Sequence, residues 1–391
     1  MNPKVRVLMA VPHYPYPVVG GLERQSHELS KALVELGIAV QAVSYQFDVT
    51  QSPEEVVEGI PVHRMPWSDT QYLRFLRTPF DLFRALYSRR RTYDVVHLHQ
   101  YSWFGVFVIL AARLLRKPVL MKLPSVGAHS LPGLADAWFG SLKLAIFRMT
   151  DAVVAMSGES LRELATVGYP QQRVLRCPNG IRLRSEAAAV DKSRSTICRV
   201  VFVGRLSGEK RIDDLLHAWR KVASSASVPI QLEVWGSGPA EARMKALAVS
   251  LGIAGTVFFR GHVEDVRAGL EAMDVFVLTS TIEGNSNAIL EAMAAGLPVV
   301  STRVGGTPMQ VGDDGARWLI TPGDRDGLYA RLLELVEDPA LRRRVGDLMR
   351  ERILEHFEIS RVAATYAAAY RLIAAGQRDR VWEAGNPVIS G

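Results

Sequence analysis

The chain has 391 residues, of which 48% are hydrophobic, 22% charged and 8% aromatic. This composition is too apolar for a disordered protein and the chain is too long for one hydrophobic core, so we predict two domains. Residues 1–190 carry 22 basic and 15 acidic side chains and the rest carries 25 of each, so the net charge of +7 belongs to the N-terminal half, which we expect to meet an anionic partner.

The first 45 residues have the pattern of a βαβ unit. A strand is predicted at Val5–Val11, a helix follows a loop that contains Gly20 and Gly21, and a second strand is predicted at Ala39–Ser44. Prolines follow the short N-terminal apolar run and no small-residue cleavage site is present, so a buried strand is expected here and not a signal peptide. The two glycines would let a backbone approach a ligand, but they do not form the G-x-G-x-x-G fingerprint of a dinucleotide site.

The stretch Tyr72–Arg91 interleaves arginines with apolar and aromatic side chains. The arginines are Arg74, Arg77, Arg84, Arg89, Arg90 and Arg91. Two interpretations are open: a segment that lies on an anionic membrane, or a surface helix that packs its apolar side on the sheet and solvates its arginines. Apolar residues at Trp103-Phe104 and Leu131–Met149 would suit a lipid-linked acceptor as well as core packing. Nucleic-acid binding is disfavoured because no reading module accompanies the basic residues.

His97 and His99 lie two residues apart at the end of a predicted strand, Val95–Leu98, and therefore point to one face. A metal site is disfavoured because no third ligand has a suggestive spacing, so an acceptor-side or structural role is expected. The apolar stretch Trp103–Ala112 is far shorter than the ~20 residues that a membrane-spanning helix needs.

Short strands continue to alternate with helical stretches along the rest of the chain. They are predicted at Pro118–Lys122, Ala152–Ala155, Arg199–Val203, Gln231–Trp235, Thr256–Arg260, Asp274–Leu278 and Pro298–Thr302. This pattern is typical of parallel sheets with helices on both faces, and we take the polar segment Arg182–Thr196 as the linker between two of them. Two doubly wound domains in tandem would have a cleft between them, with ligands at the C-terminal ends of the strands. Cys177 and Cys198 are the only cysteines, and without a CxxC motif they favour a reducing cytoplasm.

The loop Gly204–Lys210 follows the first predicted strand of the second half. Arg205 can offer a bidentate fork and Lys210 a point charge, which together suit a diphosphate. An exposed basic loop without a ligand is the alternative interpretation of the same residues.

Glu283 and Glu291 flank the start of a helix that is predicted over about Asn285–Ala295. The N-terminus of that helix, with its backbone N–H groups and positive dipole end, suits a phosphate. Because carboxylates accept hydrogen bonds, the hydroxyl groups of a ribose and of a sugar ring are sensible partners for the two glutamates. The alternative is that both are solvated surface residues.

Eight short motifs follow one another in a fixed order. They are GGLE (Gly20–Glu23), DVVHLH (Asp94–His99), PNGI (Pro178–Ile181), GRLSGEK (Gly204–Lys210), GSGP (Gly236–Pro239), GHVEDV (Gly261–Val266), the glutamate pair Glu283 and Glu291, and RVGGTP (Arg303–Pro308). In this order and spacing the chain resembles the retaining glycosyltransferases of family 4. The resemblance implies an α/β protein of the GT-B fold, with two facing Rossmann-like doubly wound domains and a cleft between them. It implies an acceptor-binding domain over residues 1–185, a nucleotide-sugar-binding domain over 197–356, and a helical segment, 357–391, that packs back towards the N-terminal domain.

The resemblance also assigns roles to single positions. Arg205 and Lys210 would bind the diphosphate, Glu291 the ribose hydroxyls, and Glu283 the donor sugar. The remaining donor-binding positions would be Gly21, Gly204, Val263 beside the base, and Ser286, Asn287 and Ala288, whose backbone would face the sugar and phosphate. No metal ion or other cofactor is expected, because the cations and the helix dipole would stabilise the diphosphate.

One position departs from the pattern. Many relatives carry a histidine in the loop after the strand equivalent to Pro118–Lys122, where this chain has Leu123, and His129 is six residues further on. We therefore assign no catalytic histidine and take Lys122 as its stand-in. The predicted catalytic set is then Glu283, Arg205, Lys210 and Lys122.

The predicted activity is the transfer of a hexose, with retention of configuration, from a nucleotide-diphosphate sugar to a saccharide or lipid-linked saccharide in the synthesis of cell-surface polysaccharide or glycolipid. A UDP-linked hexose is the favoured donor and GDP-mannose the next. The expected location is the cytoplasm, with peripheral contact between the N-terminal half and the inner face of the membrane. Three alternatives stay open: a nucleotide-sugar 2-epimerase of the same fold, a transferase with a soluble small-molecule acceptor, and a membrane-associated scaffold without activity.

Overall fold

A computed structural model describes residues 5–14, 20–48, 50–67, 70–123, 131, 133, 139–183 and 197–385, with only the backbone for residues 71–75. The chain divides into two compact units. Unit 1 is Met1–Arg182 together with Glu358–Gly391, and unit 2 is Leu183–Phe357. Most of the predicted linker, Arg182–Thr196, lies outside the described residues.

Each unit contains one sheet. The strands are β1 (Arg6–Ala10), β2 (Ala39–Gln46), β3 (Glu54–Val57), β4 (Ile60–Pro66), β5 (Val95–Leu98), β6 (Val119–Lys122), β7 (Ala152–Ala155), β8 (Val174–Arg176), β9 (Cys198–Val203), β10 (Ile230–Trp235), β11 (Val257–Gly261), β12 (Val275–Leu278), β13 (Val299–Thr302) and β14 (Leu319–Ile320). In unit 1 the order is β3-β4-β2-β1-β5-β6-β7-β8, and in unit 2 it is β11-β10-β9-β12-β13-β14. Every neighbouring pair is parallel except β3 and β4.

Helices connect most of these strands. They are α1 (Gly21–Glu35), α2 (Gln71–Ser88), α3 (Trp103–Leu114), α4 (Gly140–Phe147), α5 (Gly158–Thr166), α6 (Ile212–Ser225), α7 (Glu241–Ser250), α8 (Val266–Leu270), α9 (Asn287–Ala294), α10 (Thr307–Val311), α11 (Arg325–Glu337), α12 (Pro339–Arg352) and α13 (Ile359–Ala374). Among the described residues, no helix combines the length and apolar character needed to cross a bilayer.

The helices of unit 1 form two layers. The chain moves from β1 through α1 to β2 in one direction and from β5 through α3, α4 and α5 to β8 in the other. Right-handed crossovers in opposite directions place these helices on opposite faces of the sheet. Helix α13 packs on α1, and the core beneath them contains Met9, Leu33, Tyr366 and Tyr370.

The register explains why most strands are visible in the sequence. Val7 of β1 lies opposite Val40 on one side and Val95 on the other, and the strands β5, β6 and β7 are buried over their whole length. Strands covered on both faces have continuous apolar sequences. The ten predicted strands are therefore present within two residues of their predicted bounds, and α9 lies within the predicted helix Asn285–Ala295.

The hairpin β3-β4 was not predicted. Its first strand contains Glu54 and Glu55 and is largely exposed, so it lacks an apolar pattern. Its turn residues, Glu58 and Gly59, both have positive φ angles, 45° and 84°, the conformation of a tight hairpin turn in which Asn-Gly or Asp-Gly is the usual signal. The short strands β8 and β14 were also missed, because three and two residues are too few to show a period.

Candidate active site

The predicted donor-site residues of unit 2 follow three strands of its sheet. Gly204, Arg205 and Lys210 come after β9, Val263 after β11, and Glu283 after β12. The carboxyl ends of parallel strands meet at one edge of a sheet, and β9 neighbours β12 directly. The topology therefore gathers residues that are up to 79 positions apart in the sequence.

Lys210 and Glu283 form an ion pair at this edge. The Lys210 Nζ lies 2.6 Å from the Glu283 Oε1, and the same oxygen accepts a hydrogen bond of 2.6 Å from the Ser280 hydroxyl. The exposed fractions of the two charged side chains are 19% and 10%. Such a pair keeps a cation and a carboxylate together in a partly dry site, where both can contact an incoming ligand.

The loops that carry this pair are hydrogen-bonded to each other. The Thr279 hydroxyl donates to the Lys210 carbonyl oxygen at 2.8 Å, and the Thr281 N–H donates to the Glu209 carbonyl oxygen at 2.8 Å. The Ser207 hydroxyl holds the pKa of Glu209 below its ordinary value, and the charges of Lys210 and Arg205 add to the effect. Arg205 itself is exposed on the same loop.

Glu291 lies inside α9 and is buried, with a 6% exposed side chain. Its Oε1 is 3.9 Å from the Nε of Arg267, which belongs to α8, the helix that begins just after the half-buried Val263. Since Glu283 and Glu291 both lose most of their exposure, the interpretation of the two glutamates as solvated surface residues is wrong.

The start of α9 is held by a side chain from another helix. Gln310 of α10 accepts a hydrogen bond from the Ser286 N–H at 3.2 Å and donates to the Ser286 carbonyl oxygen at 2.8 Å. Ser286 precedes Asn287 and Ala288, which form the first turn of α9. First-turn amides of a helix have no intrahelical acceptor and carry the positive end of the dipole, so this fixed turn suits a phosphate oxygen.

Glycines allow the loops of the site to approach one another. Gly305 has φ +52°, and a Cβ there would lie 1.5 Å from the Glu283 carbonyl oxygen. A Cβ on Gly236, at φ +126°, would lie 2.0 Å from the Gly204 carbonyl oxygen. Both contacts exclude any side chain, so these two glycines are needed for the backbone geometry that positions Glu283 and Gly204.

In unit 1, Lys122 ends β6 and is buried. Its Nζ donates to the Asn179 Oδ1 at 2.7 Å, and burial lowers the pKa of Lys122 to about 8. The assignment of Lys122 to the catalytic set stays a prediction, and His129 lies outside the described residues. Gly21 is exposed as the first residue of α1, in a unit separate from the donor-site loops.

The two histidines of β5 and its end are buried beside Lys122. The ring centroids of His97 and His99 are 4.1 Å apart, as expected for side chains on one face, and the Tyr370 hydroxyl lies 2.7 Å from the His97 Nδ1. Burial, the dominant cause, lowers the pKa of both rings well below the ordinary value, so both are neutral. No group of three or more metal-ligating side chains occurs among the residues that the structure describes.

Comparison with known proteins decides the family. The model described as "Glycosyl transferase 4-like domain" matches residues 20–180, and the model described as "Glycosyl transferases group 1" matches residues 198–338, so the two together span well over half of the chain. The chain belongs to the group 1 glycosyltransferases of family 4. This glycosyltransferase is 25% identical over 372 residues to the N-acetyl-alpha-D-glucosaminyl L-malate synthase of Bacillus anthracis, an alignment that covers 91% of this chain and 94% of that one.

Solved structures give the same result for the fold. A sucrose-phosphate synthase from Thermosynechococcus elongatus matches with a TM-score of 0.78 at 21% identity, over 95% of this chain and 100% of that one. Anabaena HepE, solved in complex with UDP and glucose, matches with a TM-score of 0.74 at 18% identity, over 93% of this chain and 98% of that one. The predicted fold class, α/β of the GT-B type with two Rossmann-like domains, is confirmed.

Three residues around the candidate site were not predicted from the sequence. Ser280 contacts Glu283, Arg267 lies near Glu291, and Gln310 holds the start of α9. The sequence could have indicated Ser280, because it is a hydroxyl residue two positions after a buried strand. No sequence pattern indicates Arg267 or Gln310, because each lies in a helix of only five residues and its partner lies 24 positions away.

Proposed function

We propose that this glycosyltransferase binds a nucleotide-diphosphate sugar at the carboxyl edge of the unit 2 sheet and transfers its hexose with retention of configuration. The observation that carries the proposal is the Lys210–Glu283 pair, which places a cation and a carboxylate within 2.6 Å of each other beside the start of α9. A diphosphate can bind the Lys210 cation and the backbone amides at the start of α9, and a sugar hydroxyl can donate a hydrogen bond to the Glu283 carboxylate.

In the proposed complex, Lys210 and Arg205 bind the diphosphate, while Glu283 accepts a hydrogen bond from a sugar hydroxyl. Glu291, buried near Arg267, accepts hydrogen bonds from the ribose, and the base lies against the backbone at Val263. The two cations and the α9 dipole would stabilise the diphosphate charge without a metal ion or cofactor. The similar HepE fold, solved with UDP and glucose, supports a UDP-linked hexose as the donor.

The proposed transfer takes place on one face of the sugar. The bond between the anomeric carbon and the diphosphate oxygen breaks through an oxocarbenium-like state, and the acceptor hydroxyl oxygen bonds to that carbon from the side on which the diphosphate leaves. The leaving diphosphate takes the acceptor proton. Lys210 and Arg205 stabilise the negative charge that develops on the diphosphate. Such electrostatic stabilisation is usually the largest single contribution to catalysis.

We propose a saccharide or lipid-linked saccharide as the acceptor, in the synthesis of cell-surface polysaccharide or glycolipid. The support is the charge of +7 in the acceptor half, which suits an acidic or membrane-held acceptor. A soluble small-molecule acceptor is the second candidate, because the similar protein from Bacillus anthracis is named for a product that joins a sugar to malate.

A ligand screen followed by product analysis tests the proposal. UDP, GDP, ADP and their sugars are compared by thermal shift, and we expect UDP or a UDP-hexose to raise the melting temperature most, because a ligand that binds only the folded state stabilises it. The donor that binds is then incubated with saccharide, lipid-linked and small-molecule acceptors. We expect release of the nucleoside diphosphate and, by NMR, a product with the anomeric configuration of the donor.

Each part of the proposal has an outcome that would contradict it. Absence of any thermal shift with all nucleotides would contradict the donor site and favour a scaffold. Recovery of an intact nucleotide sugar with an altered sugar would indicate the 2-epimerase. A product of inverted configuration would contradict the same-face transfer.

A further inference from the structure

Helices α2, α3 and α4 form a layer on the face of unit 1 opposite α1. Helix α3 packs against α2 on one side and against α4 on the other. Helix α2 connects β4 to β5, α3 connects β5 to β6, and α4 lies between β6 and β7. All three crossovers run in the same direction across the sheet, and right-handed crossovers in one direction place their helices on one face. We call their outward side chains the three-helix surface; it comprises the exposed Leu76, Arg77, Phe80, Arg84 and Tyr87 of α2, Leu110 and Leu114 of α3 and Leu142 of α4, together with the half-buried Trp103 and Phe107 of α3 and Lys143 of α4.

The three-helix surface is unusually apolar for a solvent-facing layer. Eight of the seventeen exposed large apolar side chains among the described residues lie between Leu76 and Met149. Phe80 is 76% exposed and Leu114 is 73% exposed. On α3 the outward residues recur every three or four positions, so the helix buries one apolar side on the sheet and presents a second apolar side outward.

The same part of the chain is strongly basic. Residues 70–150 carry twelve basic and three acidic side chains, an excess greater than that of the whole protein. Arg84 is exposed, and Arg77 is 62% exposed with only a loose contact of 3.9 Å to Asp81. Lys143 lies 4.7 Å from the centroid of the Trp103 ring, so a cation directly neighbours the apolar stripe of α3.

Not every arginine of the stretch contributes to this charge. Arg89 donates to Glu54 of β3, and Arg113 forms an ion pair with Asp151. Arg90 stacks 3.9 Å from the centroid of the Tyr87 ring. Among the described side chains, Arg77 and Arg84 of α2 are exposed and have no close ion pair, so they are the informative positions for a test.

We propose that the three-helix surface docks on an anionic lipid bilayer. Exposed aromatic and leucine side chains insert at the boundary between head groups and acyl chains, and neighbouring cations contribute through the negative surface potential. A second copy of the chain is a poorer occupant, because a two-fold interface would place the arginines of one copy against those of the other. The proposal does not depend on the transfer chemistry, since binding is measured without donor or acceptor.

Co-sedimentation with vesicles tests the apolar part of the proposal. The full chain is mixed with vesicles of phosphatidylcholine alone or with added phosphatidylglycerol, and we expect binding to the anionic vesicles that weakens as salt is added. The double variant Phe80→Ser/Leu114→Ser should bind at least about tenfold less, because two exposed side chains lose their transfer into the bilayer. Val249→Ser in unit 2 is the matched control, because Val249 is 67% exposed and should have no effect.

The charge part is tested by Arg77→Gln/Arg84→Gln. We expect binding to anionic vesicles to fall by about fivefold per removed cation and binding to neutral vesicles to stay unchanged. Arg243→Gln on α7, also exposed, is the control. All substituted side chains are exposed, so circular dichroism and melting temperature should match those of the unmodified chain.

Three results would overturn the proposal. The first is equal binding of the unmodified chain and the Phe80→Ser/Leu114→Ser variant, and the second is no binding of the unmodified chain to either vesicle. The third is a dimer in sedimentation velocity that this variant converts to monomer while no vesicle binds, which would make the three-helix surface a protein interface.

Discussion

Two lysines at the carboxyl edges of the two sheets have opposite surroundings. Lys122 ends β6 in unit 1, is buried, and donates to the neutral amide of Asn179. Lys210, in the loop after β9 in unit 2, is partly exposed and pairs with the Glu283 carboxylate. The topological position is similar, but within the described part of the chain Lys210 has a carboxylate partner and Lys122 has none.

The difference suggests different roles for the two lysines. The Lys210 charge is balanced before a ligand arrives, and a diphosphate can share that cation while a sugar hydroxyl shares the carboxylate. No carboxylate among the described residues lies within ion-pair distance of Lys122, so burial lowers its pKa. We therefore expect the Lys210–Glu283 pair in unit 2 to bind a ligand. We expect the charge of Lys122 in unit 1 to depend on pH.

The largest expected effect is that of Lys210→Ala. Removing the cation should reduce turnover of the best donor by about a thousandfold, or ~4 kcal/mol, because charge that develops on the diphosphate loses its nearest stabilising group. The free energy of unfolding should also fall by ~2 kcal/mol, because the largely buried Glu283 carboxylate loses its counter-charge and keeps the hydrogen bond from Ser280. Steady-state kinetics and urea unfolding measure the two effects.

A double variant separates the two effects. Lys210→Ala/Glu283→Gln removes both charges, so it should recover most of the lost stability and none of the activity. Lys221→Ala is the control, since Lys221 pairs with Asp326 at the surface of the same unit and should change neither quantity. Full turnover by Lys210→Ala would contradict the proposed donor site.

The next prediction concerns the pH dependence of Lys122. Burial lowers its pKa from 10.5 to about 8, so between these pH values the unfolded chain binds more protons than the folded chain. The free energy of unfolding should therefore rise with pH, by ~3 kcal/mol in total. Lys122→Met lacks this contribution. As the pH rises through this range, the unmodified chain should therefore gain ~3 kcal/mol of stability relative to the variant.

Urea unfolding at a series of pH values measures this shift, and Lys143→Met on the exterior of α4 is the control. Other groups that titrate in the same range are common to both chains and cancel in the difference. A pH-independent difference would contradict the buried position of the charge. Full turnover by Lys122→Met would separately contradict its assignment to the catalytic set.

Sequence patterns predicted most of the fold because the parallel strands are buried on both faces. The apolar run Val119–Met121 is an example, because it indicates the strand that Lys122 ends. The charged strand Glu54–Val57 was missed for the opposite reason, because it is exposed and has no apolar pattern. Local burial, and not strand length alone, decides which elements are visible in one sequence.

The candidate site was only partly visible. The positions of Glu283 and Glu291 relative to α9 could be predicted, but their burial could not, since it depends on loops that follow other strands. Gln310 contacts Ser286 through a fold that brings α10 to α9, and no spacing in the sequence reports this contact. Contacts between residues that are distant in the chain can be identified only from the structure.

The smallest predicted effect tests whether Glu283, unlike Lys122, is positioned by the close approach of two loops. Gly305→Ala introduces a Cβ that would overlap the Glu283 carbonyl oxygen, so the loop must move. Gly323→Ala is the matched control, because Gly323 also has a positive φ, +86°, but has no atom within 4 Å of the added Cβ. Both variants bear the conformational cost of ~1 kcal/mol, and only Gly305→Ala should lose a further ~2 kcal/mol and about tenfold in turnover. Equal melting temperatures and turnover for the two variants would mean that the approach of Gly305 to Glu283 does not position the carboxylate, and the site in unit 2 would then depend on the Lys210 and Ser280 contacts alone.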